Sequence, residues 1–116
     1  MQLAVAVREL AGIVRRRDAN LASQLNRAAV SVAANIAEGY GRSGRGEYLH
    51  FLSIASGSTT EVETLTLLTG RAGLAPDDKF HQVLALSNET GRILLGLRRS
   101  LAPEKKKGPK WPLRAM

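Results

Sequence analysis

The stretch NIAEGYGRSGRGEY, residues 35–48, decides how the chain is read. Its glycines fall at Gly39-x-Gly41-x-x-Gly44, the spacing of a dinucleotide-binding fingerprint. A working fingerprint follows a strand and opens a helix inside a βαβ unit. Upstream of these glycines, however, Leu21, Leu25, Ala28, Val32 and Ile36 recur at helical spacing. The glycines therefore join two long helices, with Gly39 and Gly41 expected to end the first by adopting positive φ. A nucleotide cofactor is not expected.

The joint divides the chain into four helical segments. Residues 2–17 place Leu3, Val7, Leu10 and Val14 on one side and finish in Arg15-Arg16-Arg17, cations suited to a helix C-terminus. Asp18 or Asn20 then caps a second helix running to about Tyr40. A third helix is expected to start at Ser43 as its cap. Along it Tyr48, Phe51, Ala55, Ser58, Val62, Leu65, Thr69 and Ala72 alternate steps of three and four, which is a heptad seam. The segment GLAPDDKF supplies a glycine stop, a proline and an Asp-Asp start. The fourth helix then carries Phe80, Leu84, Ser87, Leu94, Leu97 and Leu101 on its inner line. Four helices with short links predict an all-α, antiparallel up-down-up-down bundle over residues 1–102.

Composition agrees with helices. The chain has 116 residues, 44% hydrophobic but only 4% aromatic, so its core must be aliphatic. It has no cysteine, which excludes disulfides and thiolate metal sites. Arg8 and Glu9 interrupt what would be the apolar core of a signal peptide, and no apolar run approaches the ~18 residues that span a membrane. A soluble, cytoplasmic protein is expected.

The net charge of +7 is uneven: residues 103–116 hold +4 of it. This basic tail, expected to be extended or flexible with Trp111 as its one strong anchor, points to a polyanionic partner. Solubility is the plainer account of a short lysine run. Arg42 and Arg45 lie at the mouth of the third helix, where backbone N–H groups also favour anions. The candidate nucleic-acid-binding residues are thus Arg15, Arg16, Arg17, Arg42, Arg45, Lys105, Lys106, Lys107 and Lys110.

Within the second helix, RAAVSVAANIA is apolar or small almost all round. Ala28, Ala29, Ala33, Ala34 and Ala37 let neighbouring helices approach closely, and since one small bundle cannot easily hide such a helix, a subunit interface is expected. A single polar line crosses it: Arg27, Ser31, Asn35, Glu38 and Arg42, facing His50, Gly57, Glu61 and Thr64 of the third helix. Buried polar groups need partners. Asn35 and Glu38 are therefore expected to bond across to the third helix or to another subunit, in a network with Arg27, Ser31, Ser58 and Glu61.

Catalysis has little to stand on. Glu47-x-x-His50 and Asp78-x-x-His81 imitate the Glu-x-x-His pairs of di-iron bundles. In antiparallel packing they fall at opposite ends, on the order of 35–40 Å apart, so they cannot share a metal within a chain. Glu61 and Glu63 lie on different helix faces. No enzyme activity, metal or cofactor is expected.

The blocks QLNRAAVSVAANIAEGYGR and EYLHFLSIASGSTTEVET resemble the bacterial four-helix bundle proteins of the ribosomal-RNA intervening-sequence family. That family is related to the accessory variability proteins of diversity-generating retroelements. Asn35, Glu38, Gly39, Gly57, Ser58 and Glu61 match its signature. The resemblance implies a homopentameric barrel without known catalysis, some members being encoded within insertions in large-subunit ribosomal RNA genes. The retroelement relatives are basic pentamers that bind nucleic acid and associate with a reverse transcriptase. The reading carried forward is a non-enzymatic homopentamer that binds RNA or DNA backbone, as a reverse-transcriptase accessory. Its rival is a protein-only scaffold whose basic tail docks an acidic partner protein.

Overall fold

The computed structural model describes residues 2–101, which form α1 (Gln2–Val14), α2 (Ala19–Tyr40), α3 (Arg45–Arg71) and α4 (Asp77–Leu101). Among the described residues there is no strand. Each helix packs on its neighbours in a ring, α1 against α2 and α4, and α3 against α2 and α4. The antiparallel bundle expected from the periodicity is present.

Asp18 makes the first reversal. Its side-chain Oδ1 accepts the N–H of Leu21 at 2.9 Å, and its own N–H donates to the Val14 carbonyl at 2.9 Å. The side chain thus caps α2 while the backbone closes α1. The arginines end up outside both helices: α1 stops at Val14, and Arg15, Arg16 and Arg17 form the exposed turn, not the last helical turn. The chain must reverse before Asp18, and three residues in the turn accomplish it.

The α2–α3 joint departs from expectation in two ways. The N-cap of α3 is Gly44 in an extended conformation, without a side-chain cap, and Ser43 lies one residue outside it. Neither Gly39 nor Gly41 is left-handed; Gly41 sits at φ −81°. Gly39 is instead buried inside α2, where a Cβ would stand 3.0 Å from both the Phe51 Cβ and the Tyr48 ring. Its glycine serves a close helix–helix approach.

Positive φ occurs at Gly73, φ 66°, after α3. The N–H of Gly73 donates to Gly70 and that of Leu74 to Thr69, both at 3.1 Å. This is a Schellman closure, which satisfies orphan carbonyls at the helix end. Pro76 follows, and its carbonyl accepts from Lys79 and Phe80 to start α4. Asp77 and Asp78 lie in the first turn, where negative charge complements the helix dipole.

The core is in two parts. Leu3, Val7, Leu10 and Val14 of α1 pack with Leu21, Leu25, Ala28, Ala29 and Val32 of α2, closed by Val62 and Val83. The second cluster, Leu52, Ala55 and Leu94 with Ile36, Tyr48 and Leu101, draws on α2, α3 and α4 alone. Helix length explains the split: 13 residues in α1 rise about 20 Å, whereas 27 in α3 rise about 40 Å. The bundle therefore has four helices at one end and three at the other.

This division corrects the inner line of α4. Val83, Ser87 and Leu94 are its buried positions, and Leu97 is 36% exposed. Leu86, Ile93 and Leu97 fall on one face, at steps of seven and four. Only Leu86 of the three lies beside α1 residues, so Ile93 and Leu97 have no first helix to cover them. Along the α3 seam Ala55, Ser58, Val62 and Thr69 are buried and Tyr48, Phe51 and Leu65 are not fully covered, while Ala72 is the exposed C-cap. Buried Thr59, Thr66 and Thr69 each donate to the carbonyl four residues back, at 2.8, 2.7 and 3.0 Å, so none of these hydroxyls is orphaned.

Candidate nucleic-acid interface

The polar line of α2 is partly a seam with α3 and partly self-contained. Ser31 and Ser58 share a hydrogen bond of 2.7 Å across the two helices. Arg27 pairs with Glu61 of α3 and also donates to Gln24 of its own helix. Asn35 turns back along α2, donating to the Ser31 carbonyl at 2.8 Å and its hydroxyl at 3.1 Å. Glu38 accepts from Arg42 at 2.6 Å, again within one chain segment. Asn35 and Glu38 thus make no bond to α3, the first of the two partners expected for them, because partners four residues away on the same face are nearer. His50, Gly57 and Thr64 are exposed and take no part among the bonds described.

These contacts position structure more than chemistry. Arg27–Glu61 and Glu38–Arg42 are both well exposed, so each stabilises by at most about 1 kcal/mol. The Ser31–Ser58–Asn35 group is more enclosed and bridges α2 to α3 through the Ser31–Ser58 bond.

The basic residues separate into two groups at opposite ends. Arg15, Arg16 and Arg17 occupy the α1–α2 turn, at the end where α3 finishes in Arg71. Arg42 and Arg45 flank the α2–α3 joint, at the far end of α2, whose 22 residues span about 33 Å. They cannot form one patch within a subunit. Arg42 is held twice, by Glu38 and by stacking over the Phe51 ring at 5.2 Å from its centroid. Arg45 is exposed as the first residue of α3 and makes no ion pair among the described residues.

Sequence reasoning missed two members of this end. The last turn of α4 carries Arg98 and Arg99. Leu101 packs in the same cluster as Tyr48 and Leu52, and Arg98 donates to Ser56 of α3 at 3.3 Å. The C-terminus of α4 therefore lies beside the N-terminal half of α3. Antiparallel topology could have shown that residues near 100 return to the level of residue 45. Lys105, Lys106, Lys107 and Lys110, and the anchor Trp111, lie outside the described residues.

Two grooves among the described residues offer no competing chemistry. One between α1 and α4 is lined by Gln2, Val5, Ala6, Glu9, Gln82, Ala85 and Leu86, with Glu9 as its single ionisable residue. Another, beside the Asp18 cap, is lined mainly by leucines and neutral polar groups. No described helix is long and apolar enough to cross a membrane.

A family model described as 23S rRNA-intervening sequence protein matches residues 1–96. Among solved structures, a protein of unknown function from the S23 ribosomal protein family of Bacteroides thetaiotaomicron VPI-5482 is similar, with a TM-score of 0.79 and 21% identity. The match covers 84% of this chain and 93% of that one. At that identity the likeness establishes the fold alone. No curated protein matches the chain.

Proposed function

The chain belongs to the 23S rRNA-intervening sequence protein family, and we propose that it acts without catalysis, as a homopentamer that binds the backbone of RNA or DNA. The observation that carries this reading is the convergence of Arg98 and Arg99 on the end that holds Arg42 and Arg45. The next lysines in the chain, Lys105, Lys106 and Lys107, follow Leu101 by four to six residues. Cations gathered at one end of a bundle gain affinity for phosphates by releasing condensed counterions. Arg15, Arg16 and Arg17 supply a second, separate patch.

Assembly is supported by α2. Ala28 and Ala29 are used inside the bundle, but Val30 is 55% exposed, and Ala34 and Ala37 are not buried either. Small apolar residues on an exposed helix face suit the close approach of another subunit. A ring would repeat the basic end around an axis. A reverse transcriptase is the protein partner that the family resemblance adds to this reading.

The test is a titration of fluorescently labelled RNA with the full chain and with a chain ending at Ala102, across a salt series. Salt-sensitive binding that weakens on truncation is expected. Micromolar or weaker binding from both, indifferent to salt, would overturn the reading in favour of a protein-only scaffold. Light scattering of the full chain tests the ring.

A further inference from the structure

The aromatic residues are few, and all but one of those described have internal work. Tyr48 and Phe51 wall Gly39, and Tyr48 joins the second core cluster. Phe51 also carries the Arg42 guanidinium. Phe80 fills the space beside Gly70. Tyr40 is 79% exposed, the most open of the large hydrophobic side chains described. It is the last residue of α2, two residues before Arg42 and five before Arg45. An exposed aromatic ring close along the chain to two arginines offers a face on which a base can stack.

The glycines that follow point the same way. A Cβ at Gly44 or Gly46 would meet nothing within 4 Å, and neither glycine has positive φ. Neither packing nor backbone conformation requires glycine at these two positions. Their bareness leaves the backbone of the first turn of α3 open to close approach beside Tyr40.

Resting on the backbone-binding reading above, we infer that the nucleic acid bound at this end is single-stranded, with an unpaired base stacked on Tyr40. Arginines at phosphates do not distinguish a strand from a duplex. An open aromatic face does, because a paired base hides its own faces in the helical stack. The chemistry shared by the two sources, RNA and DNA, is a flexible phosphate chain with exposed bases. The arrangement is one exposed aromatic ring with Arg42 and Arg45 close after it in the chain, at the end of the bundle to which the last turn of α4 brings Arg99.

The experiment is fluorescence anisotropy with single strands of RNA and of DNA, and their duplexes at equal length, against the full chain, Tyr40→Ala and Tyr40→Phe. Single strands are expected to bind more tightly than duplexes. Tyr40→Ala should weaken single-strand binding by about five- to a hundredfold, with the salt slope and the duplex affinity unchanged, because no charge is removed. Tyr40→Phe should retain the preference. A tighter RNA than DNA arm would assign the strand as RNA; equal arms would assign both, and either result supports the inference. Equal affinity for strand and duplex, or single-strand binding indifferent to Tyr40→Ala, would overturn it while leaving backbone binding intact. Failure to bind any of the four probes would overturn the backbone-binding reading and this inference together. Thermal melting of both variants establishes that they are folded, which the exposure of Tyr40 leads one to expect.

Discussion

The Phe80 ring of α4 occupies the place where a side chain at Gly70 of α3 would stand, and three of its carbons would collide with a methyl group there. Gly70→Ala should therefore force the ring out and destabilise by about 1–3 kcal/mol. With Phe80→Ala in the background the sign should reverse. Alanine is then free to contribute its better helix propensity, about 1 kcal/mol over glycine. Urea melts of the two single variants and the double form a cycle that reads the coupling directly. A cost for Gly70→Ala that is the same in both backgrounds would show that the ring is not its cause.

Ser31 and Ser58 make a second cycle. Ser58 is nearly buried and has the Ser31 hydroxyl as its cross-helix partner at 2.7 Å. Ser31→Ala removes that partner and one acceptor of Asn35. The expected loss is about 1–3 kcal/mol, the cost of an unsatisfied enclosed hydroxyl. The pair Ser31→Ala with Ser58→Ala should lose less than the sum of the singles, because it leaves no orphan at position 58. Strict additivity in denaturant melts would mean that the hydroxyl bond does not couple α2 to α3.

What was legible before the structure was whatever depends on neighbours three or four residues apart. The α3 seam through Ala55, Ser58 and Val62, and the Asp18 cap, are local patterns of that kind. What could not be read depended on tertiary placement. Gly39 resembles a helix stop in sequence and is a contact point for Phe51 and Tyr48 in space. Leu97 keeps the period of the core but lies where α1 has run out. Arg98 and Arg99 join Arg42 and Arg45 only after α4 has returned along α3, more than fifty residues later in the chain.

The Asp18 side chain caps α2, whereas the backbone N–H that closes α1 survives substitution, so the loss should be felt at the start of α2. Asp18→Ala is expected to cost about 0.5–2 kcal/mol, the usual range for removing an N-cap acceptor. Asp18→Asn should recover most of it, since an amide oxygen can still accept the Leu21 N–H. Helicity and melting temperature measured together would separate the cap from a charge effect. If Asn behaved like Ala, the adjacent arginines, and not the cap, would be the source of the loss.

Ala34 separates assembly from folding. It is not buried in the single subunit and belongs to neither core cluster, so a carboxylate there can reach water. Ala34→Glu should leave the helical content intact while driving the assembly towards monomer in light scattering. Retention of the native mass would remove this face of α2 from the subunit contact.

The distance between the two basic ends makes the last prediction. Arg98→Ala with Arg99→Ala should weaken RNA binding and reduce the slope of log affinity against log salt by about 1.4–1.8, if both side chains reach phosphates. Arg15, Arg16 and Arg17 stand at the other end of the bundle: Ser56, which Arg98 contacts, is fifteen residues of α3, about 22 Å, from Arg71 at that end. Substituting these three should therefore add to the first loss without interaction, since separated sites with no shared partner behave independently. Salt titrations of the double, triple and fivefold variants test this. A fivefold variant no weaker than the Arg98–Arg99 pair would confine the interface to the three-helix end. Losses that exceed the sum would instead require that neighbouring subunits bring the two ends together on one strand.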